Sequence, residues 1–242
     1  MNFYESIAKY YHFIFPLNMA QVAFVRQSFE KTQQLELLDI GCGIGELSFE
    51  LSRHFKKVNA IDLDDSMIRR AEQDVGAGPG NLNFSVLNML EIEKTFGAHS
   101  LDAIVCFGNT LVHLDGPEQI LDFFKQSRAV LKSDGKLLIQ IINYDRIIDQ
   151  NINFLPTIEN DEIRFVRNYR LHPDHKKLDF QTMLTIKKTN KTIENTIELY
   201  PLQSGEINQM LLEAGFTKIV FFGNFKREAF SKDSIPMVVE AS

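Results

Sequence analysis

Three glycines at alternate positions, Gly41, Gly43 and Gly45, follow an acidic residue, Asp39, in the pattern D-x-G-x-G-x-G. Because glycine has no Cβ atom and tolerates backbone angles closed to other residues, such a turn lets the backbone approach a ligand closely. Three alternating glycines exceed what a plain tight turn needs. The pattern therefore predicts a ligand-binding turn, and the residues that follow it decide the class of ligand.

A second acidic residue, Asp62, lies 23 positions after Asp39, at the predicted tip of the next strand. A carboxylate in this position can accept hydrogen bonds from both hydroxyls of a ribose. Because any adenosine-containing cofactor could use such a carboxylate, the spacing does not distinguish one of these cofactors from another. The dinucleotide fingerprint G-x-G-x-x-G would place its third glycine at Glu46 or Ser48, and neither reading frame matches.

Residues 38–45, which read LDIGCGIG, resemble the first motif of the class I S-adenosylmethionine-dependent methyltransferases. The resemblance covers residues 35–142. It implies S-adenosyl-L-methionine as the cofactor and S-adenosyl-L-homocysteine as its product. It also implies an α/β, Rossmann-like fold with a seven-stranded sheet whose last strand is antiparallel.

The same resemblance implies a set of cofactor-binding residues. The segment Tyr4-Glu5-x-x-Ala8-x-x-Tyr11 is similar to the N-terminal element that closes over the cofactor in many small-molecule methyltransferases. Asn88 stands where the family often has an acid, and its amide oxygen can still accept a hydrogen bond from the adenine amino group. The expected set is Tyr11, Asp39, Gly41, Gly43, Asp62, Leu63, Met67, Asn88, Met89 and Phe107.

Three short segments are similar to glycine and sarcosine N-methyltransferases: DAIVCFGNTLVHL at residues 102–114, NYDRII at 143–148 and YPL at 200–202. This similarity implies substrate-binding roles for Asn109, Thr110 and Tyr144, and catalytic roles for Tyr200, Asn143 and His113. A histidine placed like His113 is more often a structural hydrogen-bonding residue than a base, so both of its roles stay open.

Around these motifs the hydrophobic pattern predicts alternating strands and helices. Residues 1–34 predict a lid of two helices, and residues 35–242 form the expected methyltransferase domain. Between about residues 150 and 200, runs rich in β-branched and aromatic residues alternate with turns. They predict an antiparallel insertion of three strands that covers the active-site edge and sets substrate choice.

The predicted insertion carries three arginines, Arg164, Arg167 and Arg170. Because strand faces alternate every second residue, a spacing of three prevents them from sharing one face. One of them could bind a substrate carboxylate through a bidentate contact, and the sequence leaves open which one.

Composition narrows the function classes. The 242 residues are 44% hydrophobic and 24% charged, as in an ordinary soluble globular chain, and the net charge of −6 argues against a nucleic-acid-binding surface. No apolar run has the length of a membrane span, and no secretory signal is apparent. Two cysteines predict neither a disulfide framework nor a metal site. We therefore expect a cytoplasmic protein that acts on a small molecule, as a monomer or a homodimer.

Taken together, the sequence predicts methyl transfer to a small-molecule acceptor, with an amine of the glycine or sarcosine kind favoured. Methyl transfer from a sulfonium depends mainly on positioning and desolvation, which fits a sequence without an obvious acid–base pair. O-methylation is the alternative, in which His113 would serve as the base. An NAD-dependent dehydrogenase and a non-catalytic regulatory protein with the same fold are the remaining rivals.

Overall fold

The computed structural model describes residues 3–75 and 78–242, and within them the strands form one sheet of seven and one of four. Residues 1 and 2 of the predicted lid lie outside the described part. The strands are, in chain order, β1 (Glu36–Ile40), β2 (Lys57–Asp62), β3 (Leu82–Val86), β4 (Leu101–Cys106), β5 (Leu131–Ile142), β6 (Phe154–Glu159), β7 (Ile163–Leu171), β8 (Leu178–Ile186), β9 (Lys191–Leu199), β10 (Ile219–Phe222) and β11 (Pro236–Ala241).

Local sequence signals account for several helix boundaries. Pro117 begins its helix at a position where no amide donor is needed, and Gln203 with Glu206 forms a capping box. The helices are α1 (Phe3–Ile7), α2 (Tyr11–Ile14), α3 (Met19–Gln27), α4 (Glu46–Ser52), α5 (Asp65–Val75), α6 (Ile92–Phe96), α7 (Pro117–Val130), α8 (Tyr144–Asp149) and α9 (Ser204–Glu213). Short 3₁₀ helices occur at Ala8–Tyr10, Thr32–Gln34, Met89–Glu91 and Thr110–His113.

The seven-stranded sheet has the order β10-β11-β5-β4-β1-β2-β3. β1 pairs in parallel with β2 and β4, and β11 runs antiparallel to both β5 and β10. This topology confirms the predicted fold class, including the antiparallel last strand.

The core lies on both faces of this sheet because its central strands are buried on both sides. Alternate residues of one strand belong to different hydrophobic clusters: Ile104 and Cys106 pack on one face, and Ala103 and Val105 on the other. Helix α7 contributes Phe123 and Phe124 to the first cluster, and α3 contributes Phe24 to the second. The long apolar runs in the sequence therefore correspond to fully covered strands.

The strand order reverses at β1, since the chain passes to β2 and β3 on one side and returns to β4 and β5 on the other. Ligands of open α/β sheets bind outside the carboxyl ends of the strands at such a switch point. β1 ends immediately before the glycine turn, and β4 ends immediately before residues 107–110. The fold thus brings the two most informative stretches of the sequence together.

The insertion has four strands, in the order β6-β7-β8-β9, so the prediction of three strands was wrong by one. The missed strand, β6, contains Pro156, which cannot donate a hydrogen bond to a strand ladder. The structure tolerates it because β6 is an edge strand that pairs only with β7 within this sheet.

The lid packs against the insertion. Ile7 and Ile14 of the lid share a buried cluster with Ile163, Phe165 and Leu184 of β7 and β8. The first predicted helix of the lid is interrupted by the 3₁₀ turn between α1 and α2. Lid and insertion therefore form one wall above the carboxyl edge of the large sheet.

Gly45 should tolerate no side chain, because its φ is +79° and a Cβ atom there would lie 2.6 Å from the ring of Phe84. We predict that Gly45→Ala lowers the free energy of unfolding by about 1–3 kcal/mol through backbone strain and this clash. Gly80→Ala is the matched control, since a Cβ there meets nothing within 4 Å. Urea denaturation of both variants tests the prediction, and equal stabilities would contradict it.

Candidate active site

The glycine turn is held by backbone hydrogen bonds to the end of β2. The amides of Gly41 and Cys42 donate to the carbonyl of Ile61 at 2.8 and 3.0 Å. Gly41, Gly43 and Gly45 all have positive φ angles, of 69°, 56° and 79°. The three glycines are therefore required by the backbone conformation of the turn itself.

Asp62, at the end of β2, bridges the turn and the next loop. Its Oδ2 accepts from the Gly43 amide, and its Oδ1 accepts from the Asp64 amide, both at 2.9 Å. Burial raises the pKa of its carboxyl, and these two hydrogen bonds oppose the rise. The carboxylate is thereby oriented at the carboxyl edge of the sheet.

Two apolar residues accompany Asp62. Leu63 exposes 70% of its surface, which is unusual for a leucine, whereas Met67 is 1% exposed in α5. The backbone carbonyl of Asp62 accepts from the Leu87 amide at 3.0 Å, so the ends of β2 and β3 lie together. Asn88 follows directly, and its Oδ1 accepts from the Leu90 amide at 3.0 Å as the cap of the 3₁₀ helix that begins at Met89.

Asp39 is buried beneath the turn, with 3% of its surface exposed. Ser48 Oγ donates to its Oδ2 at 2.6 Å. Burial raises the pKa of Asp39 to about 6, although the serine hydrogen bond acts in the opposite direction. Asp39 is therefore an acid whose charge changes close to neutral pH.

A cavity of about 410 Å³ opens above the turn, within the size range of small-ligand sites. Its walls come from five places: the lid, the glycine turn with the start of α4, the residues after β4, the end of β5 and the insertion. The predicted residues among those that line it are Tyr11, Asp39, Gly41, Phe107, Asn109 and His113.

The lid contributes Tyr11 to this cavity. A Cβ atom placed on Gly43 would lie 3.3 Å from the hydroxyl and ring of Tyr11, so the ring lies directly over the turn. Tyr11 packs against Phe15, with ring centroids 5.2 Å apart. The glycine at position 43 thus provides the space that the tyrosine needs.

Residues after β4 form the floor of the cavity. Asn109 has a φ of 68°; its Nδ2 donates to the Tyr144 hydroxyl at 3.0 Å, and its Oδ1 accepts from the Ile142 amide at 2.9 Å. Thr110 packs against Gly41, where a Cβ atom would lie 2.5 Å from the threonine side chain. Tyr144 is fully buried, so it supports Asn109 from behind.

His113 lies in the cavity wall, at the end of a 3₁₀ helix and not in the first turn of α7. Its Nε2 is 2.9 Å from the hydroxyl of Tyr4, a lid residue 109 positions away in sequence. Burial lowers the pKa of His113 to about 4, so its imidazole is neutral at physiological pH.

Four residues expected at the acceptor are not in the cavity lining: Thr110 and Tyr144, which lie behind it, and Asn143 and Tyr200. Asn143 is fully buried; its Nδ2 donates to the Ser234 carbonyl at 2.9 Å, and its Oδ1 caps α8. The Tyr200 hydroxyl donates to Glu206 at 2.6 Å. Neither residue lines the cavity, because local capping and packing already satisfy both side chains.

Some cavity residues were not singled out from the sequence. Tyr4 was quoted only as part of the lid motif, and Gln140 of β5, whose Oε1 accepts from the Gly108 amide at 2.9 Å, carried no signal. Tyr169 and Phe180 of the insertion sheet also line the cavity. Only tertiary packing brings these residues to the carboxyl edge.

Among the described residues, one group of three side chains, His172, Asp179 and Glu198, has the spacing of metal ligands. Asp179 is already ion-paired with Arg170, and Lys177 pairs with Glu198 at 3.1 Å. None of the three lines the cavity. No helix of the described residues is long and apolar enough to span a bilayer.

Comparison with known proteins agrees with this geometry. Residues 37–135 match the family described as a methyltransferase domain. A protein of Geobacillus sp. (strain WCH70) named as a methyltransferase is 28% identical over 82% of this chain and 80% of its own length. The glycine/sarcosine N-methyltransferase of Parasynechococcus marenigrum (strain WH8102) is 22% identical, over 84% of this chain and 71% of its own. The ubiquinone biosynthesis O-methyltransferase of Coxiella burnetii (strain RSA 331) is 29% identical, over 54% and 57%.

Solved structures share the fold. A methyltransferase of Streptomyces caelestis, CcbJ, superposes with a TM-score of 0.80 at 19% identity, over 97% of this chain and 95% of its own. An S-adenosylmethionine-dependent methyltransferase of Clostridium acetobutylicum has the same TM-score at 17% identity, over 100% and 99%. Residues 37–135 therefore carry a methyltransferase domain, and the chain has the fold of these solved methyltransferases.

For Asp62 we predict that Asp62→Ala weakens binding of S-adenosyl-L-homocysteine by about 1–3 kcal/mol. The variant removes the carboxylate expected to accept from the ribose hydroxyls, together with its hydrogen bonds to the Gly43 and Asp64 amides. Asp65→Ala is the control, since Asp65 is exposed and its ion pair with Arg69 lies on the surface of α5. Calorimetric titration measures both. Unchanged affinity in a folded Asp62→Ala variant would refute the assignment.

For Asp39 the pKa shift predicts a pH dependence of stability. Its folded pKa of about 6 exceeds the ordinary value of 3.8, so the folded state disfavours the ionised form and stability falls as the pH rises through 6. Relative to Asp39→Asn, the wild type should lose about 1–2 kcal/mol of unfolding free energy between roughly pH 5 and roughly pH 7.5. Urea denaturation without cofactor measures this difference. A constant difference across that range would contradict the prediction.

Proposed function

We propose that this enzyme transfers a methyl group to the amine of a small molecule. The observation that carries the proposal is the environment of His113 in the cavity wall: its Nε2 lies 2.9 Å from the Tyr4 hydroxyl, and burial lowers its pKa to about 4. A general base works best when its pKa lies near the operating pH. An alcohol or phenol needs such a base to take its proton as the oxygen attacks the methyl group. A neutral amine is nucleophilic enough to attack first, and the ammonium product then loses its proton to water. The site therefore suits amines better than hydroxyl groups.

Residues that line the cavity, together with residues near the ends of β2 and β3 that lie outside its lining, fit S-adenosyl-L-methionine. Asp62 presents carboxylate oxygens where ribose hydroxyls can donate, and the exposed Leu63 beside it offers an apolar surface for an adenine ring. Asn88 follows β3 and has a side-chain oxygen at the carboxyl edge of the large sheet. Met89 is the next residue, and Met67 lies in α5, which follows Asp62 in the chain. The partly ionised Asp39 lies beneath the turn and complements a cation, while Tyr11 and Phe107 line the cavity.

When bound, the cofactor supplies an activated methyl group on a sulfonium. The protein contributes position and the exclusion of water. Lid residues Tyr4 and Tyr11 cover the cavity, and Asn109 is held rigid by Tyr144 and the Ile142 amide. We assign Asn109 to the acceptor site, and Thr110 and Tyr144 to its support.

The lid of residues 1–34, the domain of residues 35–242 and the insertion at about 150–200 are, in this proposal, three parts of one catalytic unit. The net charge of −6 supports a small-molecule acceptor over a nucleic acid.

The relative named as a glycine/sarcosine N-methyltransferase supports an amine acceptor. Because another relative is named as an O-methyltransferase, the test below also includes hydroxyl acceptors. A cytoplasmic location and a monomer or homodimer stay predictions.

An acceptor screen tests the proposal. The enzyme is incubated with S-adenosyl-L-methionine and either glycine, sarcosine and other small amines, or phenols and alcohols of matched size. Release of S-adenosyl-L-homocysteine is measured by chromatography. Turnover with amines is the expected result, and turnover confined to hydroxyl compounds would replace N-methylation with O-methylation.

A substitution at His113 separates the two reactions further. Because a neutral histidine with a pKa near 4 is a poor base, we predict that His113→Gln lowers kcat by less than about tenfold with the best amine. Removal of a general base would cost about 100- to 10,000-fold. Tyr200→Phe is the control, since Tyr200 lies outside the cavity and should turn over like the wild type.

A further inference from the structure

Strand β7 carries three arginines, and its alternation places only one of them towards the cavity. Ile163, Phe165 and Tyr169 are buried on the inner face, and Arg167 lies between Phe165 and Tyr169 on that same face. Arg167 lines the cavity. The strand geometry thus distinguishes it from the other two arginines.

The other two arginines are exposed and have anionic partners. The Nε atom of Arg164 is 3.6 Å from a carboxylate oxygen of Glu159. Arg170 donates to Asp179 through its Nε at 2.9 Å. Both arginines lie on the face of β7 opposite to Arg167, and each has a carboxylate partner there.

Arg167 has no such partner among the described residues. Its Nη2 donates to the Pro156 carbonyl at 2.5 Å, while its Nε is buried and makes no hydrogen bond. Burial lowers the pKa of its guanidinium. A partly buried charge without a counter-ion is unfavourable, and the carboxylate of a ligand would compensate it.

We propose that Arg167 binds a carboxylate of the methyl acceptor, so that the acceptor is an amino-acid-like molecule with an amine and a carboxylate. This inference rests on the proposed N-methylation and specifies its substrate class. The planar guanidinium with a free Nε–H matches a carboxylate, which can accept two parallel hydrogen bonds.

The surroundings of Arg167 favour a carboxylate over a phosphate. Among the described residues that line the cavity, Arg167 is the one cationic side chain, because His113 is neutral. A single positive charge balances a carboxylate but leaves a phosphate dianion half compensated. Leu155, opposite Arg167 on β6, and Phe180, opposite Tyr169 on β8, supply apolar walls that keep water away from the pair.

Isosteric probes test this charge preference without turnover. The enzyme saturated with S-adenosyl-L-homocysteine is titrated with propionate or with the uncharged propionamide, at constant ionic strength, and the midpoint of thermal unfolding is recorded. Propionate should raise the midpoint and propionamide should not. An equal response to both probes would overturn the proposal.

Substitutions then locate the carboxylate site. In Arg167→Met, propionate should bind about 10- to 100-fold more weakly, because a charged hydrogen bond is lost. Arg164→Met, which removes a surface arginine of the same strand, should respond like the wild type. An unchanged propionate response in Arg167→Met would overturn the proposal.

A purely structural role makes a different prediction. If Arg167 serves ligand binding, Arg167→Met should unfold without probe at a temperature no lower than the wild type, since an unpaired buried charge is removed. Lower stability together with weaker binding of S-adenosyl-L-homocysteine would indicate a structural role and overturn the proposal. Because binding is scored without methyl transfer, failure of the amine screen and failure of the Arg167 assignment are distinguishable.

Discussion

The hydrogen bond from the Gly43 amide to the Asp62 carboxylate is the contact on which the site depends. It joins the turn after β1 to the end of β2, in a turn whose three alternating glycines all adopt left-handed angles. With the Ile61 carbonyl accepting from two further amides, the turn is tied to β2 along its whole first half. The glycine turn therefore presents backbone without bulky side chains next to the oriented carboxylate of Asp62.

The wall opposite this turn is built from parts distant in sequence. Tyr4 of the lid contacts His113 after β4, and lid isoleucines pack on the insertion strands. The lid therefore lines the part of the cavity in which His113 lies and contacts that histidine. Burial lowers the pKa of His113, and it also lowers the pKa of Arg167 in the wall formed by the insertion. Burial of the cavity walls thus disfavours the charged form of both side chains.

Local patterns predicted the glycine turn and the position of Asp62 at the end of a strand, since both depend on residues close together in sequence. The seven-stranded sheet with its antiparallel last strand was implied by the family resemblance and is confirmed by the structure. The fourth insertion strand was missed because Pro156 argues against a strand unless an edge position is known. Asn143 and Tyr200 were expected at the acceptor, yet neighbouring caps and acids bind their side chains, which short motifs do not reveal. The alternation of Ile163, Phe165 and Tyr169 in the sequence indicates that Arg167 lies on the same face of β7 as these residues. Only the structure shows that this face lines the cavity.

Calorimetric titration of the enzyme with S-adenosyl-L-methionine, S-adenosyl-L-homocysteine and NAD, run in parallel, tests the central claim most directly. A turn built around Asp62 and the three glycines should bind the first two ligands and not the third, because the dinucleotide fingerprint is out of frame. Binding of both adenosyl compounds is therefore the predicted result. Binding of NAD alone would contradict the account and return the dehydrogenase to consideration.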